Sequence, residues 1–238
     1  MEKQIIKFNL LSHLKSPFYI FISLFMAITY SVVFIRFIDD FPSNFLALAS
    51  QYLLFIMQFS TFLMIFLTCV INSFISEKTS NRLEFYMANK VNIKTIYDCY
   101  TKAAFLLGFA GVIILDVIIT VLMFFNRPSL PFIIFDMKFI FLFCSIVVIC
   151  WSITKLIMFL VLTIKTPSVI RSILNIALIA FMYIGYSSGQ LIIKLRLPID
   201  FIVLLSSILL LISMVILFLI YVFRNKITSE RIILSLKN

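Results

Sequence analysis

Residues 76–102 read SEKTSNRLEFYMANKVNIKTIYDCYTK, a polar segment in a chain that is otherwise almost continuously apolar. Long apolar runs with few charges lie on both sides of this segment. About 20 consecutive apolar residues are enough for a helix to cross a bilayer. The flanking runs are therefore predicted to be membrane spans, and the polar segment marks a place where a membrane protein meets something soluble.

The composition excludes a soluble domain of this length. Of the 238 residues, 63% are hydrophobic and only 13% are charged, 28 are Phe, and the mean hydropathy is +1.17. Such values are typical of an integral membrane protein with several spans. We expect residues 1–238 to form a single transmembrane domain with no sizeable domain outside the membrane.

The apolar runs between charges and turn signals predict an all-α integral membrane fold with six spans. The second run is longer than a straight crossing needs, so tilt or a helical extension beyond the membrane is expected. An N-terminal segment at 1–16 precedes the first span, and an apolar, basic loop at 189–198 is predicted to lie at the outer surface or re-enter the membrane. The predicted spans are Pro17 to Ile38, Phe45 to Ile75, Ala103 to Phe125, Lys138 to Ile164, Ser172 to Ser188 and Ile199 to Phe223.

The basic residues predict the orientation, because Lys and Arg near span ends are retained in the cytoplasm. Fifteen of the 20 Lys and Arg residues fall on the side that holds both termini and the 76–102 segment. Both termini and this segment are therefore predicted to be cytoplasmic. The net charge of +10 is scattered along these edges, which favours anionic lipid headgroups over nucleic acid as the partner.

The sequence lacks the residues that several kinds of functional site require. His13 is the only histidine, the four cysteines form no C-x-x-C pair, and none of the four glycines stands in a phosphate-binding loop motif. We therefore expect no metal site, no catalytic residue and no ATPase on this chain itself.

The second predicted span carries a polar face. Its members fall within an arc of roughly 100° on a helix. Such a face indicates a substrate path or a seam between two subunits, or simply hydrogen bonds between helices. The residues are Gln51, Gln58, Thr61, Thr68 and Asn72.

Two ionisable residues are predicted to lie within the membrane, Asp116 in the third span and Lys155 in the fourth. An unpaired charge at such a depth costs at least about 2.5 kcal/mol. We predict that the two side chains form an ion pair between helices. A proton or ion relay is the alternative interpretation.

Within residues 76–102, positions three and four residues apart combine apolar and aromatic anchors with charge, as a helix that seats in a partner's groove would. Glu77, the run 81–84 (Asn-Arg-Leu-Glu), the turn-like 89–91 (Asn-Lys-Val) and Lys102 resemble the motif after the second span of ABC-2 type ABC transporter permeases. Asn81 stands where that family usually has Gly, and Lys90 where it usually has Pro. The candidate coupling residues are Glu77, Arg82, Leu83, Glu84, Tyr86, Met87 and Lys90.

The resemblance implies a function and partners. The 76–102 segment would be the cytoplasmic coupling helix that docks on one of two separate ABC ATPase subunits, which would bind ATP and Mg. Residues 1–15 would form an interfacial helix, and a second permease subunit, identical or related, would complete the pathway. The second and fifth spans would line that pathway, with Asn175, Tyr183 and Ser187 contributed by the fifth. The expected substrates are lipophilic or amphipathic, such as antimicrobial or toxin peptides, exported across a bacterial plasma membrane.

Two alternatives remain open. One is a membrane-embedded subunit that binds a small solute for uptake, although its first span would need small-residue docking motifs that 18–38 largely lacks. The other is a membrane-embedded enzyme, which would need clustered acids or histidines at membrane depth.

Overall fold

Helices account for almost all of the described part of the chain, in which no strand is present. The all-helical prediction is therefore confirmed for these residues. The computed structural model describes residues 2–39, 46–79, 86–89, 91–126, 128, 131, 134–164, 169, 172–173, 175–176, 178–181, 183 and 201–223.

Seven α-helices have defined bounds in the part of the chain that the structure describes. They are α1 (Glu2–Leu14), α2 (Pro17–Asp39), α3 (Leu46–Ile65), α4 (Asn72–Thr79), α5 (Ile93–Asn126), α6 (Met137–Thr163) and α7 (Phe201–Phe223). A helical turn at 86–88 lies between α4 and α5. The chain between α6 and α7 also contains helical residues at 169, 172–173, 175–176, 178–181 and 183.

Five helical stretches in the described residues are long and apolar enough to cross a membrane: Pro17–Ile38, Leu46–Thr68, Ile93–Asn126, Met137–Thr163 and Phe201–Phe223. The chain is therefore a multi-pass membrane protein by the length and composition of its helices. The predicted fifth span, 172–188, is described only in part. Six spans and the cytoplasmic placement of the termini stay predictions.

The second span does continue beyond the length of a crossing, as its sequence predicts. A π-helical stretch, Phe66–Ile71, follows α3 directly and leads without a break into α4. Within this stretch the hydroxyl of Thr68 bonds to the preceding turn: Oγ1 donates to the carbonyl oxygen of Met64 at 2.6 Å. The extension carries the chain to Thr79, past Glu77 and Lys78, the first charged residues of the 76–102 segment.

The helix of the third predicted span begins ten residues before that span does. At 1.5 Å per residue, the 34 residues of α5 extend for about 51 Å, well beyond the roughly 30 Å of a bilayer core. Its first ten residues look polar by composition, but Ile93, Ile96, Tyr97 and Tyr100 are buried at helical spacing. The helix therefore includes the end of the 76–102 segment, and the predicted start of the span at Ala103 stays a prediction.

The bundle is built around α3 and α5. In its most apolar stretch, α3 has 78% of its residues buried, against 17% for α7. Helices α1, α2, α3 and α6 all pack against α5, while α7 packs chiefly on α6. Many of the 28 Phe side chains fill this interior, as in the contacts of Phe105 with Phe62, Phe109 and Trp151.

Two glycines let α3 and α5 approach closely. A Cβ atom on Gly108 would lie 2.7 Å from Cε2 of Phe62, and one on Gly111 would collide with Cδ1 of Ile65. Small residues at helix crossings are a common means of bringing membrane helices together. The close approach of α3 and α5 therefore depends on having glycine, which has no side chain, at positions 108 and 111.

Other predictions lie partly or wholly outside the described residues. The N-terminal segment is helical as α1 and packs against α5, while its interfacial placement stays a prediction. The outer loop 189–198 and the C-terminal residues 224–238 lie outside the part of the chain that the structure describes.

Candidate functional site

The polar segment is joined to the membrane helices by two consecutive charged residues of α4. Glu77 is buried and accepts a hydrogen bond from the hydroxyl of Tyr100 on α5. Lys78, only 1% exposed, donates to the last turn of α6. A single turn of α4 is therefore bonded to both α5 and α6.

Lys78 acts as a C-terminal cap for α6. Its Nζ donates to the carbonyl oxygens of Val161 at 2.9 Å, Leu162 at 3.2 Å and Ile164 at 2.8 Å. These carbonyls are among those that a helix end leaves without partners, and a cation there also complements the helix dipole. Burial lowers the pKa of the Lys78 ammonium from its ordinary 10.5 to about 8.

The segment then turns back toward the bundle. In the helical turn at 86–88, Tyr86 and Met87 are half-buried and pack against the main apolar core, while Ala88 is exposed. The backbone N–H of Val91 donates to the carbonyl of Tyr86, and Asn92 Oδ1 accepts from the N–H of Lys94 at the start of α5. The described part of the turn is thus held against the bundle and exposes one face.

Three of the seven predicted coupling residues can be placed. Glu77, Tyr86 and Met87 lie together at the end of the bundle where α5 begins and α6 ends, as described above. The other four, Arg82, Leu83, Glu84 and Lys90, lie outside the described residues.

The polar face of α3 lies inside the single chain. Gln51 Nε2 donates to the carbonyl oxygen of Ile134 at 2.8 Å and to Asp136 Oδ1 at 2.9 Å, at the start of α6. Gln58 and Thr61 are also fully buried within the bundle. A seam between two chains would need this face on the outside, so the structure instead gives the hydrogen bonding between helices that the sequence also allowed.

The other two residues of the predicted polar face are Thr68 and Asn72. Thr68 is half-buried, and its bond to Met64 lies within its own helix. The side chain of Asn72 lies outside the described residues.

The predicted ion pair between Asp116 and Lys155 is not formed. Asp116 Oδ1 accepts from Gln58 Nε2 at 2.8 Å, while Lys155 Nζ lies 5.0 Å above the Trp151 ring in a cation–π contact. The two residues also differ in depth, because Tyr97 donates to the Lys155 carbonyl at 2.9 Å and lies about 28 Å from Asp116 along α5. Depths counted from the predicted span ends missed this difference between Asp116 and Lys155, since the ends of α5 and α6 do not lie at the same depth.

The residues predicted for the fifth span are exposed where the structure describes them. Asn175 and Tyr183 point away from the chain's own interior, and Tyr183 is 74% exposed. Their segment is attached through Leu178, which is buried, and Phe181, whose ring lies 4.8 Å from that of Phe59. Ser187 lies outside the described residues.

Sequence reasoning missed Lys78, Tyr97, Tyr100 and Asp136 as functional candidates. Burial of Tyr97 and Tyr100 was signalled by their helical spacing from Ile93, but their hydrogen-bond partners lie 58 and 23 residues away in the chain. Within the described ranges, no three His, Cys, Asp or Glu side chains come together as a metal site would require.

Comparison of the chain with models of protein families, with curated proteins and with solved structures gives no match.

Proposed function

We propose that this chain is the membrane subunit of an ATP-driven exporter of the ABC-2 type, with residues 76–102 as its coupling segment in the cytoplasm. Two ABC ATPase subunits would bind ATP and Mg, and a second permease chain, identical or related, would complete the complex. The membrane would be a bacterial plasma membrane. The chain itself would carry no enzymatic step.

The observation that carries the proposal is the attachment of α4 to two other helices through Glu77 and Lys78. A coupling segment has to transmit a movement of the soluble partner to the membrane helices. Since α4 continues from the second span through the π-helical stretch, and bonds to α5 and to the end of α6, a displacement at this end acts on three spans together.

The exposed side of the turn at 86–89 offers the surface for such a partner. Ala88 is exposed beside the half-buried Tyr86 and Met87. One side of the turn therefore packs against the bundle, and the other side is accessible to a partner. Anchored aromatic and apolar side chains at the centre of a contact are the usual source of binding energy between proteins.

The apolar outer faces of the bundle support the substrate class that we propose. The outer faces of α2, α5 and α7 present large apolar side chains, among them Phe21, Phe125 and Phe218. We infer that substrates enter from the bilayer rather than from water, which favours lipophilic or amphipathic compounds such as antimicrobial or toxin-like peptides.

Co-purification in detergent with the ABC ATPase encoded nearest to this chain's gene tests the proposal. We expect wild type to retain the ATPase, and Met87→Arg and Ala88→Arg to lose it while eluting as folded, monodisperse protein. Met137→Arg is the matched control, because Met137 is 82% exposed at the opposite end of the bundle.

Two results would overturn the proposal. One is wild-type protein that is folded and binds no ABC ATPase. The other is retention of the ATPase by Met87→Arg and Ala88→Arg to the same extent as by Met137→Arg.

A further inference from the structure

Asp116 lies at the edge of the α3–α5 contact, in the apolar part of a spanning helix. The side chain is half-buried, with the lipid-facing Ile113 and Val117 on one side of it and the buried Leu115 on the other. It is ten residues, or about 15 Å, from the end of α5 at Asn126. Its carboxyl group therefore borders both the protein interior and the hydrocarbon.

Gln58 is its hydrogen-bond partner, and the amide can serve either protonation state of a carboxyl group. In the structure Nε2 donates to Asp116 Oδ1 at 2.8 Å, which suits a carboxylate. The buried Gln58 Oε1 has no partner. A glutamine amide carries both donors and an acceptor, and a protonated carboxyl becomes a donor, so a turn of the amide would present Oε1 to an Asp116 O–H.

Thr61 carries a second buried oxygen on α3 without a hydrogen-bond partner. Its methyl group lies 3.8 Å from where a Cβ on Gly111 would be, so the side chain faces α5. Residues three apart lie on one helix face, which puts Thr61 and Gln58 on the same side of α3. Buried polar atoms normally have partners, and the unpartnered Gln58 Oε1 next to the carboxyl group is the acceptor that an Asp116 O–H would use.

The surroundings supply no positive charge at this depth in the described part of the chain. Helix α3 contains no charged residue and its titratable side chain is Tyr52, while Tyr30 and Tyr19 on α2 are bonded to Ser60 and to the Leu107 carbonyl. The thiols of α6 in the described residues are Cys144 and Cys150. The charged side chains and the histidine of the other elements packed on α5 lie toward its two ends: His13, Lys7 and Lys15 at or beside α1, Arg36 on α2, and Asp136, Lys138 and Lys155 at or within α6. A carboxylate at membrane depth without a cation is costly, and taking up a proton removes the charge.

We propose that Asp116 and Gln58 form a reversible proton-binding site within the membrane. Asp116 binds one proton on a carboxylate oxygen and releases it again, and the Gln58 amide reorients between donating and accepting. The α3–α5 contact is thereby made sensitive to the protonation of one side chain, independently of any ATPase partner.

Labelling with dicyclohexylcarbodiimide tests the site on the full chain in lipid nanodiscs. The reagent is apolar and reacts with a carboxylic acid: the acid proton moves to a reagent nitrogen, the carboxylate oxygen bonds to the central carbon, and the acyl group then shifts to nitrogen. The whole reagent is added and nothing leaves. Peptide mass spectrometry of wild-type protein locates the adduct without any variant.

We expect an adduct on Asp116 that forms at least about tenfold faster near pH 6 than near pH 9, since only the acid form supplies the proton. Asp116→Asn should abolish it, and Asp98→Asn, which removes another half-buried carboxyl of α5, should leave it unchanged. Gln58→Leu should alter the pH dependence of labelling, which a purely structural role for Gln58 would not do.

Three results would overturn the proposal. The first is labelling that maps to other carboxyl groups only, in folded wild-type protein. The second is a rate at Asp116 that does not change with pH, which would mark a permanently neutral group. The third is protection by NaCl relative to choline chloride at equal ionic strength, which would assign the site to Na⁺ instead.

Discussion

Lys78 on α4 donates from Nζ to the carbonyl oxygen of Ile164, 86 residues further along the chain, at 2.8 Å. The same ammonium group also caps two carbonyls of the last turn of α6, so one buried side chain fixes the extension of the second span to the end of the fourth. Hydrogen bonds to charged groups contribute about 1.5–3 kcal/mol each, more than those between neutral groups.

Replacing Lys78 by Met should lower the free energy of unfolding by about 2–4 kcal/mol, because three carbonyl oxygens at the end of α6 lose their hydrogen-bond donor while the side-chain stem is kept. Thermal unfolding of purified protein in detergent measures the effect. Lys102→Met is the control, since Lys102 is exposed on α5. Equal midpoints for the two variants would contradict the capping role.

The stability of the wild type should rise between about pH 8 and pH 10.5. Burial holds the pKa of Lys78 at about 8 in the folded protein, below its ordinary 10.5. In this window the unfolded chain binds the proton that the folded chain has released, so the free energy of unfolding increases with pH, by at most about 1.4 kcal/mol per unit. Unfolding curves across this range should show the rise for wild type and a smaller slope for Lys78→Met.

Gly111→Ala should destabilise the protein by about 1–3 kcal/mol, because its Cβ would collide with Cδ1 of Ile65 at the α3–α5 crossing. Ile65→Val removes that methyl group, so the double variant should recover part of the loss. A double-mutant cycle on unfolding midpoints measures the coupling. Additive effects of the two substitutions would show that the contact does not limit the approach of the helices.

Asp136→Ala should cost about 1–2 kcal/mol, since Asp136 is the N-cap of α6 and accepts from the N–H of Phe139 at 2.8 Å. It also accepts from Gln51, so α3 loses a bond as well. Asp136→Asn keeps an acceptor and should restore most of the stability. If Asn is as destabilising as Ala in the same unfolding assay, the cap is not the cause.

Tyr100→Phe tests whether the bond from α5 to Glu77 transmits movement in the proposed complex. We expect the variant to retain the ATPase, because the docking surface is unchanged, and to lower substrate-stimulated ATP hydrolysis several-fold. Tyr221→Phe on the exposed face of α7 is the matched control. Unchanged stimulation in Tyr100→Phe would contradict a coupling role for this bond.

The sequence predicted most helices well because apolar length is a local property. The predicted first and fourth spans and α2 and α6 agree to within one residue at each end, and the sixth span agrees with α7 to within two. The start of α5 was missed since Ile93 to Lys102 is polar in composition, and its periodic apolar residues become buried only when α1 and α6 pack against them.

The candidate site was predicted less completely. Glu77, Tyr86 and Met87 were singled out from the sequence, and they lie at one end of the bundle. Lys78 was counted only as one of the positive charges on the cytoplasmic side, because its capping role depends on where α6 ends. Asp116 was expected to pair with Lys155, yet the relative depth and rotation of the helices instead bring it to Gln58.

The sequence by itself determined that this is a helical membrane protein and where most of its helices run, because a helix satisfies its own backbone hydrogen bonds and needs only enough apolar side chains to cross. The tertiary structure decided which polar side chains meet. Those pairings depend on how closely α3 and α5 approach at Gly108 and Gly111 and on how far each helix extends, which no single segment of the chain specifies.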